Sequence, residues 1–252
     1  MIFPKVKISD CCKIVSGSTP RTNVPEYWDG NILWVTPKDI TNLKQPYLYD
    51  TPDKISQKGY NSCSTSLLPK GSVLLSSRAP IGLIAIAARE MCTNQGFKSF
   101  VPSENIDSLY LYYCLNSMKN EIIARGTGTT FKEISKEVVS KIQIPLPPLE
   151  VQQKIAAVLD KADRLRKLRQ AAMEKLDQLT QSVFLEMFGD PNINPKNWKI
   201  GRIRDIIREA KYGTSKKAVD IGEYPILRMG NITYGGGWDF SDLKYIDIDE
   251  ED

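Results

Sequence analysis

The sequence predicts a mixed α/β (α+β) domain over residues 1–143, a proline lead and long coiled-coil-type α-helix over 144–190, and the truncated start of a second, related domain over 191–252. Three observations support this prediction. Short apolar runs alternate with turn residues in the first segment, and apolar residues recur at helical spacing in the second. The third segment begins much as the chain itself begins.

The first segment contains apolar runs of strand length separated by Pro, Gly, Asn and Ser. The predicted strands are Ile32–Thr36, Ser72–Leu75, Ile81–Ala87 and Lys98–Val101. Residues 103–124 place apolar side chains on one helical face, with Ser103 as the expected N-cap, and a shorter helix is expected over 135–141. This order is too irregular for a βαβ repeat. The aromatic residues Tyr27, Trp28 and Trp34 are expected in the core.

The second segment has both the start and the stop signals of a helix. Prolines 145, 147 and 148 favour an extended approach, and Pro148 is suited to the first helical turn. Gly189 followed by Pro191 is typical of a helix end. Roughly 38 residues at about 1.5 Å each predict a helix of about 57 Å, too long to lie wholly on one small domain.

One face of the predicted helix is apolar, and its leucines repeat every eleven residues, so the face stays nearly straight along the helix. We expect another long helix to cover this face, because a monomer would expose it; an antiparallel second copy is one possibility. A helix buried across a single domain remains the alternative. The expected helix-pairing residues are Leu165, Leu168, Ala172, Leu176, Leu179 and Val183.

An internal repeat links the two ends of the chain. At an offset of 192 residues, Lys7-Ile8 matches Lys199-Ile200, and Asp39-Ile40-Thr41 matches Asn231-Ile232-Thr233. The matches keep their order and spacing. They predict that a second domain starts near residue 192 and is incomplete at residue 252.

Composition excludes several kinds of site. The chain of 252 residues contains no histidine, which excludes histidine general bases and histidine metal ligands. Its five cysteines form no C-x-x-C pair, so disulfide scaffolds and the usual zinc spacings are not expected. We expect no membrane span and no signal peptide, and therefore a cytoplasmic location. The net charge of +4 is compatible with nucleic acid.

Six segments form a set of motifs in a fixed order along the chain. They are GSTP (17–20), WVTPKDI (34–40), LPKGSVLLSSRAPIG (68–82), NQGF (94–97), GTGTT (126–130) and the proline lead IPLPPL (144–149). This set resembles the specificity (S) subunit of type I restriction-modification systems, a family in which two target recognition domains flank conserved spacer helices. The resemblance covers essentially the whole chain, but the second recognition domain is incomplete and the second spacer helix is absent.

The resemblance implies a non-catalytic subunit that reads one half-site of a bipartite double-stranded DNA target. It also implies docking to methyltransferase (M) subunits, which bind S-adenosylmethionine, and indirectly to restriction (R) subunits. The residues themselves agree, because the chain has neither a complete glycine-rich cofactor turn nor a Walker A sequence. The alternative is a coiled-coil adaptor or structural interaction protein without DNA specificity.

We expect DNA contacts from polar residues in the loops of the first domain. The amides of Asn94 and Gln95 suit adenine, and the Gly-rich loop from residue 126 suits phosphate. Arg78, Asn94 and Gln95 could instead be buried polar groups that brace the fold. The expected DNA-binding residues are Arg21, Thr22, Asn23, Lys38, Arg78, Asn94, Gln95, Lys98, Thr127, Thr129, Thr130 and Lys132.

Overall fold

The structure is a computed structural model that describes residues 3–128, 132–210 and 213–247. It divides into two compact units, residues 1–180 and 181–252. The first unit is mixed α/β with a long helix, which confirms the predicted fold class. The expected domain boundaries near residues 143 and 190 remain predictions. In the described part of the chain, no helix combines the length and apolar character needed to span a membrane.

The strands of the first unit are β1 (Lys5–Lys7), β2 (Cys12–Ser16), β3 (Trp28–Val35), β4 (Tyr47–Leu48), β5 (Lys54–Ile55), β6 (Val73–Ser77), β7 (Ile81–Ala87), β8 (Cys92–Thr93), β9 (Phe97–Pro102) and β10 (Gln143–Pro145). Its helices are α1 (Ile8–Cys11), α2 (Pro37–Thr41), α3 (Gln57–Asn61), α4 (Ser108–Ser117), α5 (Lys119–Ala124), α6 (Lys136–Ser140) and α7 (Leu149–Phe188), the last of which continues into the second unit.

The central sheet has the strand order β2-β9-β6-β7-β4, with β4 parallel to β7 and the other neighbours antiparallel. A smaller sheet, β5-β3-β8, lies beside it, and β1 pairs with β10. Strand β6 is buried on both faces. Val73 and Leu75 enter one core with the residues of α4 and α5, whereas Leu74 enters a second core with the residues of β3. This alternation is the period-two pattern of a strand.

The four predicted strands lie within or overlap β3, β6, β7 and β9. The predicted helix over 103–124 was wrong in its start and its continuity. Asp107, not Ser103, is the N-cap, because its Oδ1 accepts a hydrogen bond from Tyr110 N at 2.8 Å. The Ser103 N–H instead donates to the Cys11 carbonyl. The helix breaks at Met118, which separates α4 from α5.

Helix α7 confirms the long-helix prediction, since its 40 residues give a length of about 60 Å. Only its first turns are buried, at Gln152 and Ala156, and residues 168–188 are exposed throughout. The alternative of a helix buried across a single domain is therefore wrong. Gly189 ends the helix as expected: it has a φ of +78°, and its N–H donates to the Leu185 carbonyl at 2.8 Å.

The second unit repeats a local motif of the first. In the first unit, Thr36 N donates to Asp39 Oδ2 at 2.6 Å and caps α2. In the second, Arg228 N donates to Asn231 Oδ1 at 2.9 Å and caps a 3₁₀ turn over Met229–Asn231. Thr36 corresponds to Arg228 and Asp39 to Asn231 at the offset of 192 residues that the sequence repeat shows. In both units the preceding strand has an antiparallel partner: β3 pairs with β5, and β11 (Tyr224–Ile226) pairs with β12 (Lys244–Ile246).

Candidate nucleic-acid interface

Several of the predicted DNA-binding residues lie on loops that contact one another at one edge of the first unit. They comprise residues 17–23, the start of α2, the turn after β6, the turn between β8 and β9, and the described residues 126–128 and 132–134. We call this surface the loop face.

The loop 17–20 is fixed against the turn that precedes β9. Ser18 N donates to the Thr93 carbonyl at 3.0 Å, and Trp34 Nε1 donates to the Ser18 carbonyl at 3.1 Å. The close approach requires glycine at position 17, because a Cβ there would lie 2.0 Å from the Asn94 carbonyl oxygen. Trp34 is 6% exposed, which confirms its expected place in a core.

Asn94 stabilises the turn between β8 and β9 through two hydrogen bonds. Its Oδ1 accepts a hydrogen bond from Gly96 N at 2.9 Å, and its backbone N–H donates to the Val35 carbonyl at 3.0 Å. The amide oxygen of Asn94 is thus already occupied, which favours the bracing role over an adenine contact. Gln95, at the tip of this turn, is exposed, and its Oε1 accepts a hydrogen bond from the Thr19 hydroxyl.

The ion pairs at the loop face show that Lys98 and Arg78, both predicted to bind DNA, differ in exposure. Lys98 Nζ lies 3.2 Å from Glu133 Oε1 and 3.4 Å from Ser77 Oγ, and its side chain is only 10% exposed. Arg78 Nη1 lies 3.7 Å from Glu133 Oε2, with 38% of its side chain exposed. Lys98 thus lies in a buried ion pair, whereas the Arg78 side chain is half-buried, and the expected DNA contact of Lys98 stays a prediction.

The Gly-rich loop is anchored at both of its ends. Thr127 and Glu133 exchange backbone hydrogen bonds of 3.0 and 2.9 Å, and Ile134 N donates to the Ser77 carbonyl at 2.9 Å. Gly126 packs closely on Ile81, since a Cβ there would lie 2.5 Å from Ile81 Cδ1. Thr127 and Lys132 are exposed. The predicted contacts Thr129 and Thr130 lie outside the described residues.

The remaining predicted residues lie on the loop 17–23 and on α2. Arg21, Thr22, Asn23 and Lys38 are exposed. The Arg21 carbonyl accepts a hydrogen bond from Trp28 Nε1 at 3.2 Å, and the Trp28 and Trp34 rings meet edge to face with centroids 5.0 Å apart. Lys38 lies in the first turn of α2. A Cβ on Gly96 would lie 3.5 Å from Pro37 Cγ and 3.8 Å from Arg78 Cγ, so α2, Arg78 and the turn are neighbours.

The chemistry of the loop face suits the binding of an anionic partner. Its exposed groups are cations, hydroxyls and an amide, carried on loops braced by backbone hydrogen bonds. Among the described residues, no cluster of three or more histidine, cysteine or carboxylate side chains could hold a metal ion. Behind the face, burial raises the pKa of the Cys92 thiol to about 11.

The side chain of Gln152 attaches the start of α7 to the rest of the first unit. The side-chain amide of Gln152 is fully buried and makes three hydrogen bonds, all to backbone. Its Oε1 accepts from Asp107 N at 2.9 Å, and its Nε2 donates to the carbonyls of Asn105 (2.9 Å) and Pro147 (2.8 Å). Gln152 is not among the residues that the sequence predicts to have a role. Its place on the face of Ile155 and Ala156, three and four residues on, is the signal that could have predicted burial.

Tyr113 makes a second contact between α4 and α7 close to Gln152, and we call these two contacts the joint. Tyr113 in α4 donates its hydroxyl to Asp160 Oδ1 of α7 at 3.4 Å. Burial raises the pKa of Tyr113, and the nearby carboxylates of Asp160 and Asp163 raise it further, so the hydroxyl stays a donor at neutral pH.

Comparison with known proteins identifies relatives. A family model described as "Type I restriction modification DNA specificity domain" matches residues 3–178. The chain is 36% identical over 250 residues to the type I restriction enzyme MjaIX specificity subunit of Methanocaldococcus jannaschii, a match that covers 91% of this chain and 58% of the relative. It is 31% identical over 163 residues to the EcoR124I/EcoR124II specificity subunit of Escherichia coli, covering 61% of this chain and 39% of the relative.

Solved structures show the same likeness. One, from work on complex assembly and conformational transition of the type I R-M system, has a TM-score of 0.57 and 27% identity, covering 71% of this chain and 43% of the other. The HsdS subunit of Thermoanaerobacter tengcongensis has a TM-score of 0.55 at 24% identity, covering 74% of this chain and 45% of the other. This likeness supports the fold alone. The chain thus spans less than two thirds of the length of each of these proteins.

Proposed function

Because this chain belongs to the type I restriction-modification DNA specificity family, we propose that it is a non-catalytic specificity subunit whose first unit binds one half-site of a bipartite double-stranded DNA target. Its relatives are named specificity subunits, and the loop face carries the polar groups that such a role needs.

The observation that carries this proposal is the set of exposed donors on braced loops. Arg21, Lys38 and Lys132 are long cationic side chains suited to phosphates, and the guanidinium of Arg78 can reach phosphate or a guanine edge. Gln95 and Thr127 add neutral hydrogen-bonding groups. Because the loops are held by the contacts around Asn94 and Glu133, little ordering is required on binding.

We further propose that α7 sets the spacing between half-sites and docks methyltransferase subunits. A helix of about 60 Å is longer than one DNA turn of about 34–36 Å. The methyltransferase subunits would bind S-adenosylmethionine and extrude the target base, since a stacked base cannot be reached. Restriction subunits would join indirectly through them. We place this assembly in the cytoplasm, together with its DNA substrate.

The test is selection of duplexes from a randomised DNA library by the full chain, alone and with the methyltransferase subunits of its own system. We expect an enriched motif and an affinity that falls steeply as salt rises from 50 to 200 mM, because several Lys and Arg residues displace counterions. Equal binding of all duplexes would contradict the proposal. Transfer of methyl groups by the chain without those subunits would contradict its non-catalytic part.

The exposed apolar face of α7 also favours a second candidate, a coiled-coil adaptor without DNA specificity. Leu168 and Leu176 are 66% and 61% exposed, as expected of a protein-binding helix. Such an adaptor would bind its partner through apolar contacts and would show weak salt dependence. The same titration therefore separates the two functions.

A further inference from the structure

A basic groove lies beside α7, where the loop after α2 approaches the helix. Its volume is about 500 Å³. The lining includes one residue of that loop and a row of residues of α7, namely Lys44, Arg164, Lys167, Leu168, Ala171 and Glu174. Three of these side chains are cationic and one is anionic, so the groove carries a net positive charge. We call it the cationic groove.

Two of its cations have no counter-ion in the described part of the chain. Lys44 and Arg164 are exposed, and neither makes an ion pair with another described residue. Lys167, in contrast, pairs with Asp163, which also pairs with Arg166 at 2.8 Å. Cations that line one groove repel one another, and a ligand with several negative charges would remove that repulsion.

The groove occupies a different face of α7 from the expected helix-pairing residues. Each residue turns the helix by about 100°. Lys175, eleven residues after Arg164, therefore returns to within about 20° of Arg164 and lies about 17 Å farther along the helix; it is exposed. Leu176 lies about 120° and Arg166 about 200° around the helix from Arg164. The basic face can thus be occupied without covering the apolar one.

The cationic groove is also close to the loop face. Lys38 stands in the first turn of α2 on that face, and Lys44 follows it six residues later. Six residues span at most about 20 Å, and the helical path over Pro37–Thr41 shortens the distance further. Since one turn of a DNA duplex is about 34–36 Å long, a duplex bound at the loop face can bring phosphates to the groove within one turn.

We propose that the cationic groove binds the phosphate backbone of the duplex that adjoins the half-site, on one side of it only. This inference rests on the proposed function, because it takes the loop face as the reader of the half-site. Lys44 and Arg164 each contact a phosphate. Phosphate contacts carry no sequence information, so the groove positions the duplex and adds affinity without changing the bases that are recognised.

The first test compares three duplexes that contain the selected half-site. One duplex ends just outside the half-site, and the other two add about ten base pairs, one helical turn, on one side or on the other. The wild type should bind one of the extended duplexes about 10-fold more tightly than the short duplex. The base sequence of the added segment should not matter. Equal affinity for the two extended duplexes would overturn the proposal.

Arg164→Ala and Arg166→Ala form the matched pair of variants. Both remove one positive charge from an exposed position of α7, but only Arg164 lines the groove. Arg164→Ala should weaken binding of the favoured extended duplex about 5-fold and reduce the salt slope by about one, and should leave binding of the short duplex unchanged. Lys44→Ala should act in the same way, and Arg166→Ala should change none of the three affinities. Equal losses for Arg164→Ala and Arg166→Ala would overturn the proposal.

Ethylation of single phosphates locates the contact on the DNA. In the favoured extended duplex, ethylation at one or more phosphates outside the half-site should interfere with binding of the wild type. That interference should vanish for Arg164→Ala, because the contact is already lost. Interference confined to the half-site itself would overturn the proposal.

The outcomes separate this inference from the proposed function. If the chain selects a half-site but gains affinity from neither added segment, the inference fails and the proposed function stands. If no half-site is selected, yet Arg164→Ala and not Arg166→Ala weakens binding of duplexes of any sequence, the phosphate contact stands and sequence-specific binding fails. If Arg164→Ala changes only the affinity for methyltransferase subunits, the groove binds protein and the inference fails.

Discussion

Lys98 and Glu133 form an ion pair of 3.2 Å that joins the central sheet to the loop 126–134, although 35 residues separate them. Glu133→Gln would leave the buried ammonium of Lys98 without a negative charge beside it, with a neutral amide oxygen and Ser77 Oγ at 3.4 Å as its close acceptors. We expect the free energy of unfolding to fall by about 1–2 kcal/mol, measured by urea unfolding. Lys98→Met removes the buried charge itself and should cost less. A larger loss for Lys98→Met would contradict this account.

Gln152 provides the second prediction. Gln152→Leu would remove the hydrogen-bond partner of three backbone groups, in Asn105, Asp107 and Pro147, and we expect a loss of about 3 kcal/mol in the free energy of unfolding. The next residue is the matched control: Gln153 is exposed, so Gln153→Leu should change stability by less than about 0.5 kcal/mol. Similar losses in the two variants would show that the buried hydrogen bonds contribute little.

Arg78 and Lys70 test the position of the DNA-binding surface. Arg78 follows the end of β6 on the loop face, whereas exposed Lys70 precedes the start of β6. Arg78→Ala should weaken DNA binding about 10-fold near 0.1 M salt, because a phosphate or guanine contact is lost. Lys70→Ala removes the same charge and should leave affinity nearly unchanged. Gel shifts at several salt concentrations measure both; equal effects would indicate nonspecific attraction.

The capped turn of α2 gives the fourth prediction. Asp39→Ala removes the acceptor for Thr36 N and should lower the free energy of unfolding by about 1–2 kcal/mol. Asp39→Asn keeps an acceptor oxygen, as Asn231 does at the matching position of the second unit, and should cost less than about 0.5 kcal/mol. Equal losses in thermal or urea unfolding would mean that the charge, not the hydrogen bond, stabilises the turn.

Cys92 supplies a prediction about reactivity. Burial raises its pKa to about 11, so only about one thiol in a thousand is ionised at pH 8 in the folded protein. We expect iodoacetamide to modify Cys92 only after unfolding in urea, whereas half-buried Cys63 reacts earlier. Peptide mapping by mass spectrometry follows both residues. Modification of Cys92 in the folded protein at the rate of Cys63 would contradict the prediction.

The sequence predicted those helices and strands that are marked by a pattern within their own residues. Helix α7 has helical periodicity along its whole length, and β6, β7 and β9 are apolar runs of strand length. The two-residue strand β4 was missed because it exists only through its parallel pairing with Ile86 and Ala87, almost forty residues away. The start of α4 at Asp107, and not at the predicted Ser103, depends likewise on a distant group, since the Ser103 N–H donates to the Cys11 carbonyl.

Within the candidate site, the sequence indicated the loops but not the exposure of each side chain. Asn94 and Gln95 are adjacent residues with amide side chains. The geometry of the turn directs the Asn94 side chain to the Gly96 N–H and leaves the Gln95 side chain exposed. Lys98 and Arg78 are both basic, yet the sheet buries the side chain of Lys98 and leaves that of Arg78 partly exposed. Such distinctions depend on contacts between distant segments, which a single sequence does not display.

The joint at Gln152 has a consequence for how this protein can change. Every hydrogen bond of its amide goes to a backbone atom, in Asp107, Asn105 and Pro147. The side chains of those three residues can therefore be exchanged without loss of the joint, provided that the main chain keeps its path. A foreign domain that presents the same backbone groups at the same places would fit the start of this helix without any change in Gln152.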